Sequence, residues 1–447
     1  MFSSPLTQTD KEINTSYFTD EIKTSNIIIQ EIMYKSCKFH GEKTRKLIKE
    51  ILLKIIKKQK DDLKNVCFGG LPDDLPILRS LIWKINLKYF NYEIDKWEIY
   101  TQKKRMEYEE IKYAFLLKME IEKKLHEELE QASDPRDYSG TETNRKNKIQ
   151  ELQKFTKNTD KELLELIDND VRRTHTDLNF FFMPCKRENL ADDEVIEIVN
   201  RRRSIGIGLE TKTLDDIYNT QDFLKYETHA NVLTRILYIY AKLNPEIIYV
   251  QGMNEILAPI YYCFSFDLEL LNKNTENQSH GNSLESDVFW TFSILMEDLK
   301  GIFMRKEDDS NEGLFKKVGI LCDMLKIVDK DLFNHFVANG VEMSHFAFRW
   351  FILLFTQDFV LPDILRLWDV ILSESNRLYF VYYVALGILK IKKVELMGLD
   401  FPGIITSLQA ISHLNVELIF DVIKQIQKDY DKKIVKLITY NSNEKNK

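Results

Sequence analysis

The chain has 447 residues, of which 44% are hydrophobic, 12% aromatic and 30% charged, with a net charge of −7. This balance suits globular domains with sizeable cores and excludes a disordered or fibrous chain, while an acidic protein is a poor match for nucleic acid as main partner. Only 15 Gly and 9 Pro leave few turn residues for a sandwich, barrel or Rossmann sheet, so long helices are expected.

Residues 1–40 are polar, with a short helical pattern from Ser25 to Met33. From Lys43 to Leu63 the residues Leu47, Ile48, Ile51, Leu52, Ile55 and Ile56 share one helical face, with lysines opposite. Gly69-Gly70-Leu71-Pro72 ends that helix, and Asp73 or Asp74 is placed to cap the next, which carries Leu75, Leu78, Ile82, Trp83 and Ile85. Lys103 to Gln131 is a long charged helix with Ile111, Phe115, Met119 and Ile121; Ala132 to Lys148 reads as a loop. A second core block starts near Leu152. Residues 187–222 and Lys273 to Ser286 read as polar insertions, on either side of the strongly apolar stretch Leu224 to Phe266. Helical patterns then run from Asp287 to about Asp429, and a polar tail follows.

Several function classes find no support. The apolar run Leu378 to Leu389 has about a dozen residues between Arg377 and Lys390, where a membrane span needs about 20. It reads as a buried core helix. The N-terminus has no apolar signal core and no glycine at position 2, and no prenylation cysteine closes the chain. Cys37, Cys67, Cys185, Cys263 and Cys322 are scattered without metal-ligand spacing, the usage of a reduced, cytosolic protein. Gly206, Gly208, Lys212 and Thr213 imitate a phosphate loop, but Thr211 stands where the tight turn needs glycine. The eight histidines form no HExxH, and His229 and His345 read as core or surface residues. No GxSxG marks a hydrolase elbow.

Two segments interrupt apolar helical patterns with polar residues. In Ile167-Asp168-Asn169-Asp170-Val171-Arg172-Arg173-Thr174, Asp170 stands one turn before Arg173 and Thr174 and can hold the Arg173 guanidinium. A fixed, partly exposed arginine is what stabilising phosphate charge requires, although an ordinary helix pair has the same spacing. In Tyr249-Val250-Gln251-Gly252-Met253-Asn254, Gly252 permits a sharp turn that exposes the Gln251 amide, whose donor and acceptor could orient a water. From the residues alone, a plain turn glutamine is the favoured reading.

Taken together, the segments resemble the IxxDxxRT and YxQGM signatures of TBC-domain Rab GTPase-activating proteins, closest to the short member-thirteen branch. The family's earlier RxxxW motif is present as Arg79 and Trp83, in the correct order, and the likeness runs from about Cys67 to Asp429. One departure is Glu246, where that branch usually has glycine after Asn-Pro. The resemblance implies an all-α, two-lobed helical TBC (RabGAP) fold with polar insertions. Its domain would cover 41–435, with an N-terminal lobe of about 41–266, insertions near 101–150 and 187–222, a C-terminal lobe of about 287–435, and a tail at 436–447.

The resemblance also implies that Arg173 and Gln251 act in trans on the GTP form of a Rab-family small GTPase. Ile167, Asp170, Thr174, Tyr249, Gly252, Met253 and Asn254 would support them, and Arg79 and Trp83 would stabilise the fold. GTP and Mg would belong to the partner, with no cofactor or metal of the chain's own, so it is a GTPase activator and not an enzyme in the strict sense. A cytoplasmic protein is expected, regulating vesicle traffic and meeting membranes through the lipidated Rab. The alternative is a non-catalytic Rab-binding scaffold.

Overall fold

The structure, a computed structural model, describes residues 41–133 apart from 74 and 92, then 161–185, 227–265, 283–303 and 313–443, with short pieces within 29–33 and 144–150. The expected insertion at 187–222, the phosphate-loop imitation and Cys37 lie outside the described residues, as does most of Lys273 to Ser286. In chain order the helices are α1 (Glu42–Ile56), α2 (Lys60–Gly69), α3 (Pro76–Asn86), α4 (Trp97–Ser133), α5 (Lys161–Val171), α6 (His229–Leu243), α7 (Met253–Ser265) and α8 (Ser283–Phe303). They continue with α9 (Leu314–Val328), α10 (Lys330–Ala338), α11 (Ser344–Leu353), α12 (Leu361–Ser373), α13 (Arg377–Leu396), α14 (Phe401–Gln409) and α15 (Val416–Asn443). Among the described residues there is no strand, so the all-α expectation holds. No described helix is long and apolar enough to cross a membrane.

The chain forms two compact units, one from residues 1–100 and 255–447 and one from 101–254. The lobes expected from sequence follow chain order, whereas this division follows contacts.

In the first unit, the single helix expected over Lys43 to Leu63 is two helices. Lys58 adopts φ 60°, which breaks the hydrogen-bond ladder between α1 and α2. Helix α3 also starts differently from expectation: Leu75 is its N-cap without a side-chain cap bond, and Pro76 occupies the first turn. Proline's fixed φ and missing N–H suit that position without an acidic cap. Asp73 is left to accept from Arg79 Nη2 at 2.7 Å. Helix α8 begins at Ser283, inside the stretch expected as a polar insertion, because Glu285, Ser286 and Asp287 are buried. There Asp287 accepts from Tyr89 Oη at 2.8 Å and from Lys84 Nζ at 3.3 Å.

The apolar run of α13 is buried on every side from Phe380 to Leu389, which accounts for its lack of a polar face. It packs on α15 at Gly387, where a Cβ would meet Ile419 Cγ2 at 3.1 Å.

In the second unit, Tyr108 of α4 is buried, and Phe115 meets Tyr238 of α6 edge-on with ring centres 6.1 Å apart. Helix α6 starts with a capping box between Thr228 and Asn231, and it packs against α5. The end of the expected loop, 146–148, is helical.

Candidate functional site

Helix α5 buries Leu164, Ile167 and Val171 and leaves Glu162, Glu165, Leu166 and Asn169 exposed. Its end tightens: Arg173 N donates to Asp170 O at 3.0 Å and Thr174 N to Val171 O at 3.1 Å, both three residues back. His175 then turns the chain away at φ 42°. Arg173 therefore sits on the closing turn of a helix, where the negative end of the dipole favours a cation by about 0.3–1 kcal/mol.

The two adjacent arginines separate by burial. Arg172 has a side chain only 8% exposed and pairs with Asp168, Nε to Oδ2 at 2.5 Å. Its Nη1 is buried without a partner among the described residues. Arg173 is exposed, and its guanidinium makes no ion pair or hydrogen bond among the described residues. The expected pairing of Asp170 with Arg173 is not formed. Asp170 points inward, where its Oδ2 accepts from Tyr249 Oη at 2.8 Å. An inward carboxylate must be matched by buried donors, and the tyrosine hydroxyl supplies one without adding charge.

Asn254 completes the network. Its Nδ2 donates to Thr174 Oγ1 at 2.8 Å and to the Asp170 carbonyl at 3.2 Å, and its Oδ1 lies 3.3 Å from Tyr249 Oη. Thr174 Oγ1 also donates to that carbonyl at 3.3 Å. The last-turn carbonyl of Asp170, already bonded by Arg173 N, thus also accepts from two side chains. Asp170, Thr174, Tyr249 and Asn254 are all buried. They join the arginine turn to the segment before α7.

That segment is a sharp turn. Met253 N donates to Val250 O at 3.1 Å, and Gly252 adopts φ 102°, a region costly for any residue with a Cβ. Gly252 and Met253 are buried, so the turn rests on the core while Gln251 projects into solvent without a partner among the described residues. Ile248 is a second irregularity, at φ 61° and 54% exposed. A β-branched residue in the left-handed region costs roughly 1–2 kcal/mol.

His175 is half-buried and stacks on Phe181 with ring centres 5.9 Å apart. Its Nε2 has no partner among the described residues. Burial lowers its pKa from the usual 6.5, with Asp177 pulling weakly the other way.

Arg79 and Trp83 belong to the other unit and form a separate cluster. Arg79 Nε donates to both Asp369 oxygens at 3.0 and 3.2 Å, Nη2 donates to Oδ2 at 3.2 Å, and Trp83 Nε1 donates to Oδ1 at 2.8 Å. Burial works against the guanidinium charge, but Asp369 outweighs it and holds the Arg79 pKa above its ordinary value. Trp83 also packs on Trp368, with ring centres 5.8 Å apart. These contacts tie α3 to α12 and present no reactive group.

The structure thus gathers Ile167, Asp170, Arg173, Thr174, Tyr249, Gln251, Gly252, Met253 and Asn254 within one unit. Sequence reasoning missed the Asp168–Arg172 pair, although four-residue spacing was visible, and it missed the Ile248 conformation, for which the sequence carries no signal. Among the described residues no cluster of His, Cys, Asp and Glu could hold a metal ion.

A family model described as the Rab-GTPase-TBC domain matches residues 211–397, which include the Tyr249–Asn254 turn. The chain is 31% identical over 389 residues to TBC1 domain family member 13 of Homo sapiens, covering 82% of this chain and 94% of that protein. It is also 31% identical over 163 residues to GTPase-activating protein GYP1 of Saccharomyces cerevisiae, covering 34% of this chain and 25% of that one. Among solved structures, the Ypt/Rab-GAP domain of Gyp1p matches with a TM-score of 0.54 and 21% identity, covering 85% of this chain and 99% of that one. This last likeness concerns the fold.

Proposed function

The chain belongs to the RabGAP-TBC family, and on that premise we propose that it accelerates GTP hydrolysis by a Rab-family small GTPase, using Arg173 and Gln251 in trans. The observation that carries this reading is the pair of exposed side chains, without partners among the described residues, mounted on one buried network. Tyr249 and Asn254 hold the glutamine turn against Asp170 and Thr174 of the arginine turn. Both side chains are free to meet a partner, while their backbones are fixed.

Arg173 neutralises charge developing on the γ-phosphate and on the bridge to the β-phosphate. Gln251, whose side-chain amide can both donate and accept, orients the attacking water. GTP and Mg arrive with the partner, which meets this chain in its GTP form. An arginine finger is worth about 10³–10⁵ in rate, roughly 4–7 kcal/mol of barrier. A preorganised charge in a water-excluded interface supplies that much; a solvated one does not. Regulation of vesicle traffic, and membrane contact through the lipidated Rab, follow from the same reading.

The test is single-turnover GTP hydrolysis across a panel of purified Rabs, with wild type beside Arg173→Ala and Gln251→Ala. Acceleration of some Rab by wild type, lost in both variants, is the expected result. Binding of a Rab with no effect on its rate points instead to a scaffold.

A further inference from the structure

Ile248 stands three residues before Gln251 in a backbone conformation that favours glycine, at φ 61°, with 54% of its surface exposed. Neither feature serves the fold. The turn itself is held by backbone bonds, with Ile248 N donating to Asn244 O at 2.8 Å and Ile247 N to the same carbonyl at 3.1 Å. Glycine or asparagine would make those bonds with less strain, and the isoleucine side chain is not spent on the core.

A second exposed aliphatic, Leu166, is 46% exposed on α5, seven residues or about two helical turns before Arg173. It lies on the exposed face of α5 with Glu162, Glu165 and Asn169. Each exposed finger candidate therefore has an exposed aliphatic residue on its own segment, and the buried network joins the two segments.

We propose that Ile248, together with Leu166, forms an apolar contact that docks on the surface of the GTPase beside its nucleotide, making Ile248 a specificity-determining residue. This inference rests on the GTPase-activating reading above. An observed backbone outlier next to a candidate site is where strain held for function is expected. The isoleucine gains in the complex what it forfeits in the free protein: burial of an aliphatic group among contacts that exclude water from the fingers.

The experiment uses the full chain and a panel of purified Rabs, reading kcat and KM for hydrolysis, binding to the same Rabs loaded with GDP and aluminium fluoride, and thermal melting. The variants are Ile248→Ala, Ile248→Asp, Ile248→Leu and Leu166→Ala. For the Rab accelerated best, Ile248→Ala raises KM about tenfold, the size of a moderate interface contact. Ile248→Asp raises it further, Leu166→Ala raises it less, and Ile248→Leu restores it; kcat stays within about twofold throughout. None of the Ile248 variants melts below wild type.

A KM unchanged in Ile248→Ala and Ile248→Asp overturns the inference while leaving GTPase activation intact. So does a loss carried by kcat alone, which would make the residue a purely structural support of the turn. If wild type neither accelerates nor binds any Rab of the panel, the GTPase-activating reading fails, and the docking inference falls with it.

Discussion

Asp369 and Asp170 are both buried carboxylates that accept from an aromatic side chain at 2.8 Å, Trp83 Nε1 in one case and Tyr249 Oη in the other. They differ in where the neighbouring arginine stands. At Asp369 the guanidinium of Arg79 is inside, spent on three bonds to the carboxylate. At Asp170 the tyrosine occupies the carboxylate and Arg173 remains outside, three residues along the chain, without a partner among the described residues. An arginine committed to a buried acid is structure; an arginine whose acid is satisfied by a neutral donor is free for a partner's phosphate. The Asp168–Arg172 pair makes the same point within one turn of helix, since it takes the neighbouring arginine's side chain out of solvent.

The sharpest test of that contrast is Arg173→Ala. It abolishes GTPase acceleration by about 10³-fold or more and leaves unfolding free energy within about 0.5 kcal/mol of wild type, as for an exposed residue without contacts. Urea unfolding beside single-turnover hydrolysis reads both. A destabilised Arg173→Ala would place that side chain with the structural arginines. Its counterpart is Arg79→Ala, which leaves the Asp369 charge buried and uncompensated. The expected loss is about 3–5 kcal/mol of stability, measured by the same unfolding experiment. An Arg79→Ala protein as stable as wild type would dissolve the distinction between the two clusters.

A third variant attacks the neutral donor. Tyr249→Phe deletes the hydroxyl that satisfies Asp170, with a stability cost of about 1–3 kcal/mol. Because the same hydroxyl pins the glutamine turn to the arginine turn, kcat falls by about 10–100-fold, the scale of an ångström-sized misplacement. If Tyr249→Phe retains full kcat, the network is structural support alone, like that at Asp369.

Much of this was legible in the sequence, and the failures share a physical cause. Spacing puts Ile167, Asp170, Arg173 and Thr174 on neighbouring turns, because a helix fixes which residues can meet one turn apart, whereas a place for Tyr249 beside them came only with the family resemblance. The apolar run of α13 read correctly as core, because about a dozen residues cannot span a bilayer. Spacing could not decide which acid serves which arginine. Asp168, Asp170, Arg172 and Arg173 allow pairs at both three and four residues, and the choice depends on which side chains tertiary packing buries. Nor could it supply Asp369 as the partner of Arg79, 290 residues away, or the break at Lys58, where a helical pattern continues through a left-handed residue. Propensity and periodicity are local, and these features were settled by what lies across the core.

The smallest expected effect concerns His175, which follows the arginine turn directly and tests whether that turn is as rigid as the network implies. Burial lowers the folded-state pKa of His175 below the 6.5 of a free histidine. Between those two values the unfolded chain binds a proton that the folded protein does not, so stability rises with pH there. The contribution is complete above about pH 6.5 and is lost as pH falls below it toward the folded-state value. Asn tolerates the left-handed backbone at φ 42° and does not titrate, so His175→Asn removes this component without straining the turn. Melting curves from pH 7.5 to 5.5 should show a shallower fall for the variant, with a difference on the order of a degree in Tm. Parallel slopes for the two proteins would mean that His175 is solvated enough to take up its proton in place. The arginine turn would then open more readily than a preorganised finger allows.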